Sequence, residues 1–184
     1  MAMYVNTGAV TLRDGSEALI RPIDASDRDG LEAAFERLSA RSRRMRFLGY
    51  RKRLTDAELG YFTDVDHADH EALVATDTDG GAIVGVARYV RSAVDHESAE
   101  LAVTVADQWQ NRGLGTALLA RLADRAQEAG VRRFEGLVLV DNRPMIRLLK
   151  AVRAAQVDGA DGLKRFALDL DVRYLPPCTS TSTS

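Results

Sequence analysis

The 184-residue chain has a single cysteine, Cys178, and it stands in the C-terminal stretch PPCTSTSTS. An internal disulfide is thereby excluded, as is a cysteine-ligated metal site, and a reducing compartment fits that count. No run reaches the roughly 18 uninterrupted apolar residues that a spanning helix needs. The N-terminal MAMYVNTGAVTLRDG has neither the basic start nor the apolar block of a secretory signal. A cytoplasmic protein without a membrane partner is expected. Histidine is scarce too: His67, His70 and His96 sit among acids, and none has the paired helical spacing of a zinc hydrolase. No metal is expected. A net charge of only -2 argues against general nucleic-acid binding.

What is present is the composition of a globular chain, 46% apolar and 28% charged, with length for one substantial core rather than two. One domain over residues 1–175 and a disordered tail over 176–184 are expected. The charge is uneven. RSRRMRFLGYRKR, Arg41 to Arg53, holds seven basic residues and no acid. Such a run is either a solvated surface or a docking patch for an anionic ligand or acidic partner.

Alternating residues around Asp14-Gly15 predict a hairpin, and Asp24 or Ser26 can cap a helix whose Leu31, Ala34, Phe35 and Leu38 share one face. Ser39 starts a second short helix, and Thr55 with Glu58 forms a capping-box pattern for a third. EALVATDT and AIVGVARYV read as a second hairpin, and AELAVTVA as a nearly all-apolar central strand. A helix over Thr116 to Ala129, ended by Gly130, is followed by strand RFEGLVLV, helix NRPMIRLLKAVR and strand LKRFALDLD. This order implies an α/β (α+β) domain on a mixed, mostly antiparallel central sheet flanked by helices.

QNRGLG, residues 110–115, lies between the central strand and the long helix. A strand running through glycines into a helix leaves the first-turn N–H groups unpaired and convergent, which with the helix dipole makes an anion site. Gly113 and Gly115 allow close backbone approach, and Arg112 can add charge. A nucleotide P-loop would need a lysine after Gly115, where Thr116-Ala117 stands, and Leu118 occupies the small-residue position of a dinucleotide turn. A plain packing turn is the other reading of such glycines.

VTVADQWQNRGLGTALLARLADRAQEAG, then a strand, then DNRPMIRLLK, resembles the GNAT superfamily of acyl-CoA-dependent N-acetyltransferases. That family's Gln/Arg-x-x-Gly-x-Gly/Ala motif is matched by Gln110, Gly113 and Gly115, and the order of elements matches from about residue 9 to 170. The resemblance implies a GNAT-like fold with acetyl-CoA as co-substrate. It puts Val103, Thr104 and Val105 along the pantetheine arm and Asn111, Arg112, Gly113, Leu114, Gly115 and Thr116 at the CoA pyrophosphate. Asn142 falls where an asparagine commonly contacts the cofactor, and capping the next helix is an equally natural role for it.

LSARSRRMRFLGYRKRLTDAELGYFTDVDHADHEALVA with GVARYVR looks like the bacterial protein-lysine acetyltransferases. The implied partner is a protein bearing a lysine, an acyl-CoA synthetase in particular. Members of that subgroup are often fused to a regulatory domain, for which this chain has no room, so such regulation is not expected. Acetyl transfer needs a neutral amine while lysine titrates near 10.4, so a base must take the proton. The subgroup places its catalytic glutamate where Glu100 stands, with Glu97 as the other carboxylate on that approach. Backbone N–H groups around Val103 would polarise the thioester carbonyl. Where many members carry Leu-Tyr to protonate the leaving thiolate, this chain has Leu148-Leu149. A thiol of pKa near 8.5 leaves readily without a dedicated acid. The link carrying Asp64, Asp66, His67, Asp69 and His70 can border an acceptor channel or be a solvated loop. A small-amine acetyltransferase and a non-catalytic acyl-CoA sensor are the alternatives to protein-lysine acetylation.

Overall fold

A computed structural model describes residues 8–79 and 81–170. Cys178 and the expected tail lie outside them. The first hairpin pairs β1 (Gly8–Thr11) with β2 (Glu17–Pro22), and its loop is longer than a two-residue turn. Within that loop Gly15 alone takes a positive φ, 83°, while Asp14 accepts the Ser16 N–H at 3.1 Å. Three short helices follow: α1 (Arg28–Arg37), α2 (Ala40–Phe47) and α3 (Asp56–Thr63). Asp24 caps a 3-10 turn, Ala25–Asp27, that leads into α1. Ser39 caps α2 through the Ser42 N–H, and Thr55 and Glu58 make both bonds of the capping box on α3. Each cap satisfies first-turn donors that would otherwise be orphaned.

The rest of the sheet is β3 (His70–Asp77), β4 (Ile83–Arg91), β5 (Ser98–Val105), β6 (Arg133–Leu139), β7 (Ala155–Ala160) and β8 (Leu163–Asp169). Helix α4 (Leu114–Glu128) joins β5 to β6, and α5 (Arg143–Ala151) follows β6. The eight strands stand in the order β1-β2-β3-β4-β5-β6-β8-β7. Only β5 and β6 run parallel. The mixed, mostly antiparallel sheet expected from the sequence is thus the one observed. Strand β7 was not expected: AQVDGA is short and carries a glycine, every residue is exposed, and it adds to the edge by pairing with β8 alone.

Helices cover both faces. Leu118, Leu119, Leu122 and Ala126 of α4 pack with Leu73, Ala87, Leu101, Phe134 and Leu149 in the larger core. Leu31 and Phe35 of α1 and Leu59 of α3 pack with Ala72, Val74 and Ile83 on the other face. Helix α4 lies so close to β4 that a Cβ on Gly85 would stand 2.8 Å from the Leu118 side chain. That approach fixes where the N-terminus of α4 opens, beside the end of β5.

Candidate active site

Strands β5 and β6 pair only from Ser98 to Glu100, opposite Arg133 to Glu135, and then part. On its other side β5 stays paired with β4 as far as Val105. The edge of β5 that faces β6 therefore keeps unpaired backbone groups beyond Glu100, a free edge able to bond an extended ligand arm. A cleft of 1030 Å³ runs from this split to the start of α4. It has the size of a cofactor site rather than of a packing defect.

At its far end Gly113 takes φ 99° and serves as N-cap of α4 with no side-chain cap. A side-chain cap would have absorbed the first-turn N–H groups; its absence leaves them facing the cleft, where the helix dipole is positive. Gln110 holds the turn to the strand, its Nε2 donating to the Val105 carbonyl at 3.1 Å. Asn111 is also left-handed, at φ 62°.

Val103, Thr104, Val105, Asn111, Gly113, Gly115, Thr116 and Asn142 all line the cleft. Two others point away. Arg112 pairs with Asp14 at 3.2 Å and lies over the Trp109 ring, and Leu114 is buried in the core. Their contribution to the cleft is confined to the backbone. Asn142 caps α5, accepting the Met145 N–H at 3.2 Å, and it also lines the cleft. Leu148 faces the cleft beside Gly115, while Leu149 is buried. Neither side chain carries a hydroxyl.

Positive charge reaches the cleft from residues that the motif did not indicate. Arg13 donates its backbone N–H to the Arg112 carbonyl at 2.9 Å, and its stem lies against Gly113. Arg147 reaches Asn111 Oδ1 at 3.4 Å. The basic run proves not to be one patch. Arg44 pairs with Asp141 at 2.9 Å, Arg41 lines the cleft, and Arg51 pairs with Glu58 at 2.8 Å. Arg43 is structural: it donates to the carbonyls of Glu36, Leu38 and Lys52. Arg46 turns inward. Helix α2 is tied down by Asp107, which accepts from Ser39 and Ser42 at 2.6 to 2.9 Å. Burial alone would raise that carboxyl, but these hydrogen bonds hold it below the usual carboxylate range.

Glu100 is exposed and lines a smaller groove with Met45, Arg46, Leu48 and Glu135. Groove and cleft meet at Met45, Arg46 and Val103. Glu97 lies before β5, and its carbonyl accepts from Arg132 and Arg133, on the approach to β6. The histidine-rich link is mostly architectural. Asp66 Oδ1 accepts three backbone N–H groups, from Ala68, Asp69 and His70, and Asp69 pairs with Arg91 at 2.6 Å. His67 bonds Glu71 at 2.8 Å, and Glu71 is fully buried with Arg125 as its ion-pair partner. His70 packs on Tyr61 with centroids 4.7 Å apart and meets Arg88 Nη1 through Nε2 at 3.1 Å. Burial and the Arg88 charge push its pKa down to about 4, so it is neutral, with Nε2 as acceptor. No cluster of three or more potential metal ligands occurs among the described residues. No helix among them is long and apolar enough to cross a membrane.

Comparison with known proteins agrees with this geometry. The profile described as "Acetyltransferase (GNAT) family" matches residues 34–152. The acetyltransferase Pat of Mycolicibacterium smegmatis is 33% identical over 85% of this chain, which spans 47% of that protein's length. An acetyltransferase of Pseudomonas aeruginosa is 35% identical over 73% of each chain. The crystal structure of the GNAT domain of S. lividans PAT superimposes with a TM-score of 0.85 at 33% identity, covering 92% of this chain and 99% of that one. A split central strand pair, an uncapped glycine turn and these matches lead to one assignment: the chain belongs to the acetyltransferase (GNAT) family.

Proposed function

We propose that the protein transfers an acetyl group from acetyl-CoA to an amine, and that the amine is the side chain of a protein lysine. One observation carries the reading. The split between β5 and β6 begins at Glu100 and continues, through a groove that meets the cleft at Val103, into the uncapped amides of α4. A molecule with an extended amide-bearing arm and a pyrophosphate fits that sequence of groups. In this reading Val103, Thr104 and Val105 pair along the pantetheine. The amides of Asn111 to Thr116 hold the pyrophosphate, with Arg112 and Leu114 contributing main chain only, and Arg13 and Arg147 add charge. Asn142 flanks the arm from the start of α5.

Chemistry then falls at the junction of groove and cleft. The lysine nitrogen attacks the thioester carbonyl carbon, a C–N bond forms, and the C–S bond breaks with its electrons passing to sulfur. Glu100 takes the amine proton, directly or through a water, which is the step that a neutral nucleophile requires. N–H groups near Val103 stabilise the carbonyl oxygen. Leu148 and Leu149 offer no proton, so the thiolate leaves as such and is protonated by solvent.

The same missing hydroxyl is what favours the second reading, an acyl-CoA sensor without turnover. Release of free thiol from acetyl-CoA decides between them. Lysine-bearing proteins, acyl-CoA synthetases first, and small amines are offered in parallel. Acetylation of a protein lysine with stoichiometric thiol release is expected; release only with small amines, or binding without release, overturns the protein-lysine reading.

A further inference from the structure

The structure also points to which acyl groups are accepted. We propose that Arg46 and Arg88, on either side of a cavity beside Thr104, receive the terminal carboxylate of a short dicarboxylic acyl group, so that succinyl-CoA is a substrate. The inference rests on the reading of the cleft as a CoA site.

Arg46 is half-buried, with its guanidinium 5.0 Å from the Phe47 ring centre and 5.9 Å from that of Phe62. Among the described residues it makes no hydrogen bond, and no carboxylate lies within ion-pair distance of it. Arg88 is 5% exposed and stacks 4.3 Å from the centre of the same Phe62 ring. Its two hydrogen bonds go to neutral groups, His70 Nε2 and the Phe62 carbonyl, both at 3.1 Å. Two other buried charges are matched by an opposite charge: Glu71 takes Arg125, and Asp27 takes Arg21 at 2.6 Å. Glu100 attracts Arg46 only from beyond ion-pair distance, so two guanidinium groups share one ring with no anion in contact, which is costly, since each desolvated cation opposes the other. The strain is visible on Arg88, whose pKa burial and the neighbouring Arg46 bring down to about 9. A carboxylate placed between them would relieve it through charge-assisted hydrogen bonds.

The cavity they bound has a volume of 60 Å³ and apolar walls that include Phe35, Leu38, Phe47 and Val86. A volume of this size admits a few non-hydrogen atoms, and a succinyl group adds four, the CH2–COO⁻, to the methyl carbon of acetyl. It joins the large cleft at Arg46 and Thr104, and Thr104 follows Val103, where the thioester would lie. The groove of Glu100 meets it at Arg46 only. An acyl chain that follows the cleft past Thr104 therefore has a direct route into it.

The step balances as for acetyl. The amine nitrogen bonds to the thioester carbonyl carbon, the C–S bond breaks to CoA thiolate, and Glu100 takes the proton. The distal carboxylate is unchanged, and nothing is oxidised or reduced. Calorimetric binding of succinyl-CoA, butyryl-CoA and acetyl-CoA tests the proposal, butyryl being the four-carbon chain without the charge. Succinyl-CoA should bind at least tenfold tighter than butyryl-CoA, and Arg46→Gln should reduce that ratio to about one. A ratio of one or less in the unmodified protein, or a ratio unchanged by Arg46→Gln, overturns it. If acetyl-CoA binds while succinyl-CoA does not, only this proposal falls; if no acyl-CoA binds, the CoA reading falls with it.

Discussion

Gly113→Ala should separate the backbone role of the glycine turn from its binding role. At φ 99° a residue with a Cβ is strained, and the added carbon would stand 3.5 Å from Arg13 Cγ, an ordinary contact. The folding cost is therefore that of the left-handed backbone, about 1–2 kcal/mol, or a melting point lower by roughly 2–8 °C for a chain of this size. Binding has a second cost. The methyl group obstructs approach to the α4 amides, and losing one hydrogen bond to a charged oxygen removes about 1.5–3 kcal/mol, roughly a 10- to 150-fold rise in Kd. Gly130→Ala is the control. It too sits at positive φ, 83°, but has no atom within 4 Å of the added carbon and ends α4 at the opposite end from the turn. Both variants should melt earlier, and only Gly113→Ala should weaken CoA in calorimetry. Acetyl-pantetheine, which lacks the pyrophosphate, should bind Gly113→Ala as it binds the unmodified protein. Equal CoA affinity in the two variants would refute the assignment of the turn to the pyrophosphate.

Other consequences are independent of that one. The folded-state pKa of His70, about 4, lies below its ordinary 6.5, so the unfolded chain takes up this proton first and stability is lost as pH falls through that window. Allowing for its partial exposure, about 1 kcal/mol should disappear between pH 7 and 5. His70→Gln, which keeps an acceptor for Arg88, should flatten that part of the urea-midpoint profile; an unchanged slope would remove His70 as its source. Glu71→Ala leaves the largely covered Arg125 without its anion and should cost about 3 kcal/mol in chemical denaturation, whereas a loss under 1 kcal/mol would show that solvent screens Arg125. Asp107→Ala removes the acceptor for Ser39 and Ser42 and should cost about 1–3 kcal/mol while raising amide exchange across α2. Protection of α2 equal to that of the parent protein would count against the tether.

Legibility in the sequence followed the range of the interaction. Caps at Ser39, Thr55 and Asn142, the hairpin glycine and the Gln110-x-x-Gly113-x-Gly115 turn act within four or five residues, so the residues that make them are adjacent in the chain. The order of elements along the chain was legible, the order of strands in the sheet was not, and β7, short and fully exposed, was not foreseen. The basic run shows the limit most clearly. As composition it is a single patch, but helical spacing sends Arg41 to the cleft, Arg44 to Asp141, Arg43 back under α1 and Arg46 between Phe47 and Phe62. Which way each points is set by the tether from Asp107, more than sixty residues away. Arg13 at Gly113 and Glu135 beside Glu100 are likewise products of tertiary pairing. Local sequence carries no trace of them.

The central claim is that Glu100, at the vertex where β5 and β6 separate, takes the proton from the attacking amine. Thiol release from acetyl-CoA with a lysine acceptor, followed from about pH 6 to 10 for the parent protein and Glu100→Gln, tests it directly. CoA affinity should be retained and turnover near pH 7 should fall by roughly 10²- to 10⁴-fold, the usual worth of a general base. That deficit should shrink as the pH nears the lysine pKa of about 10.4, where the acceptor deprotonates unaided. Turnover by Glu100→Gln equal to that of the parent across this range would contradict the account.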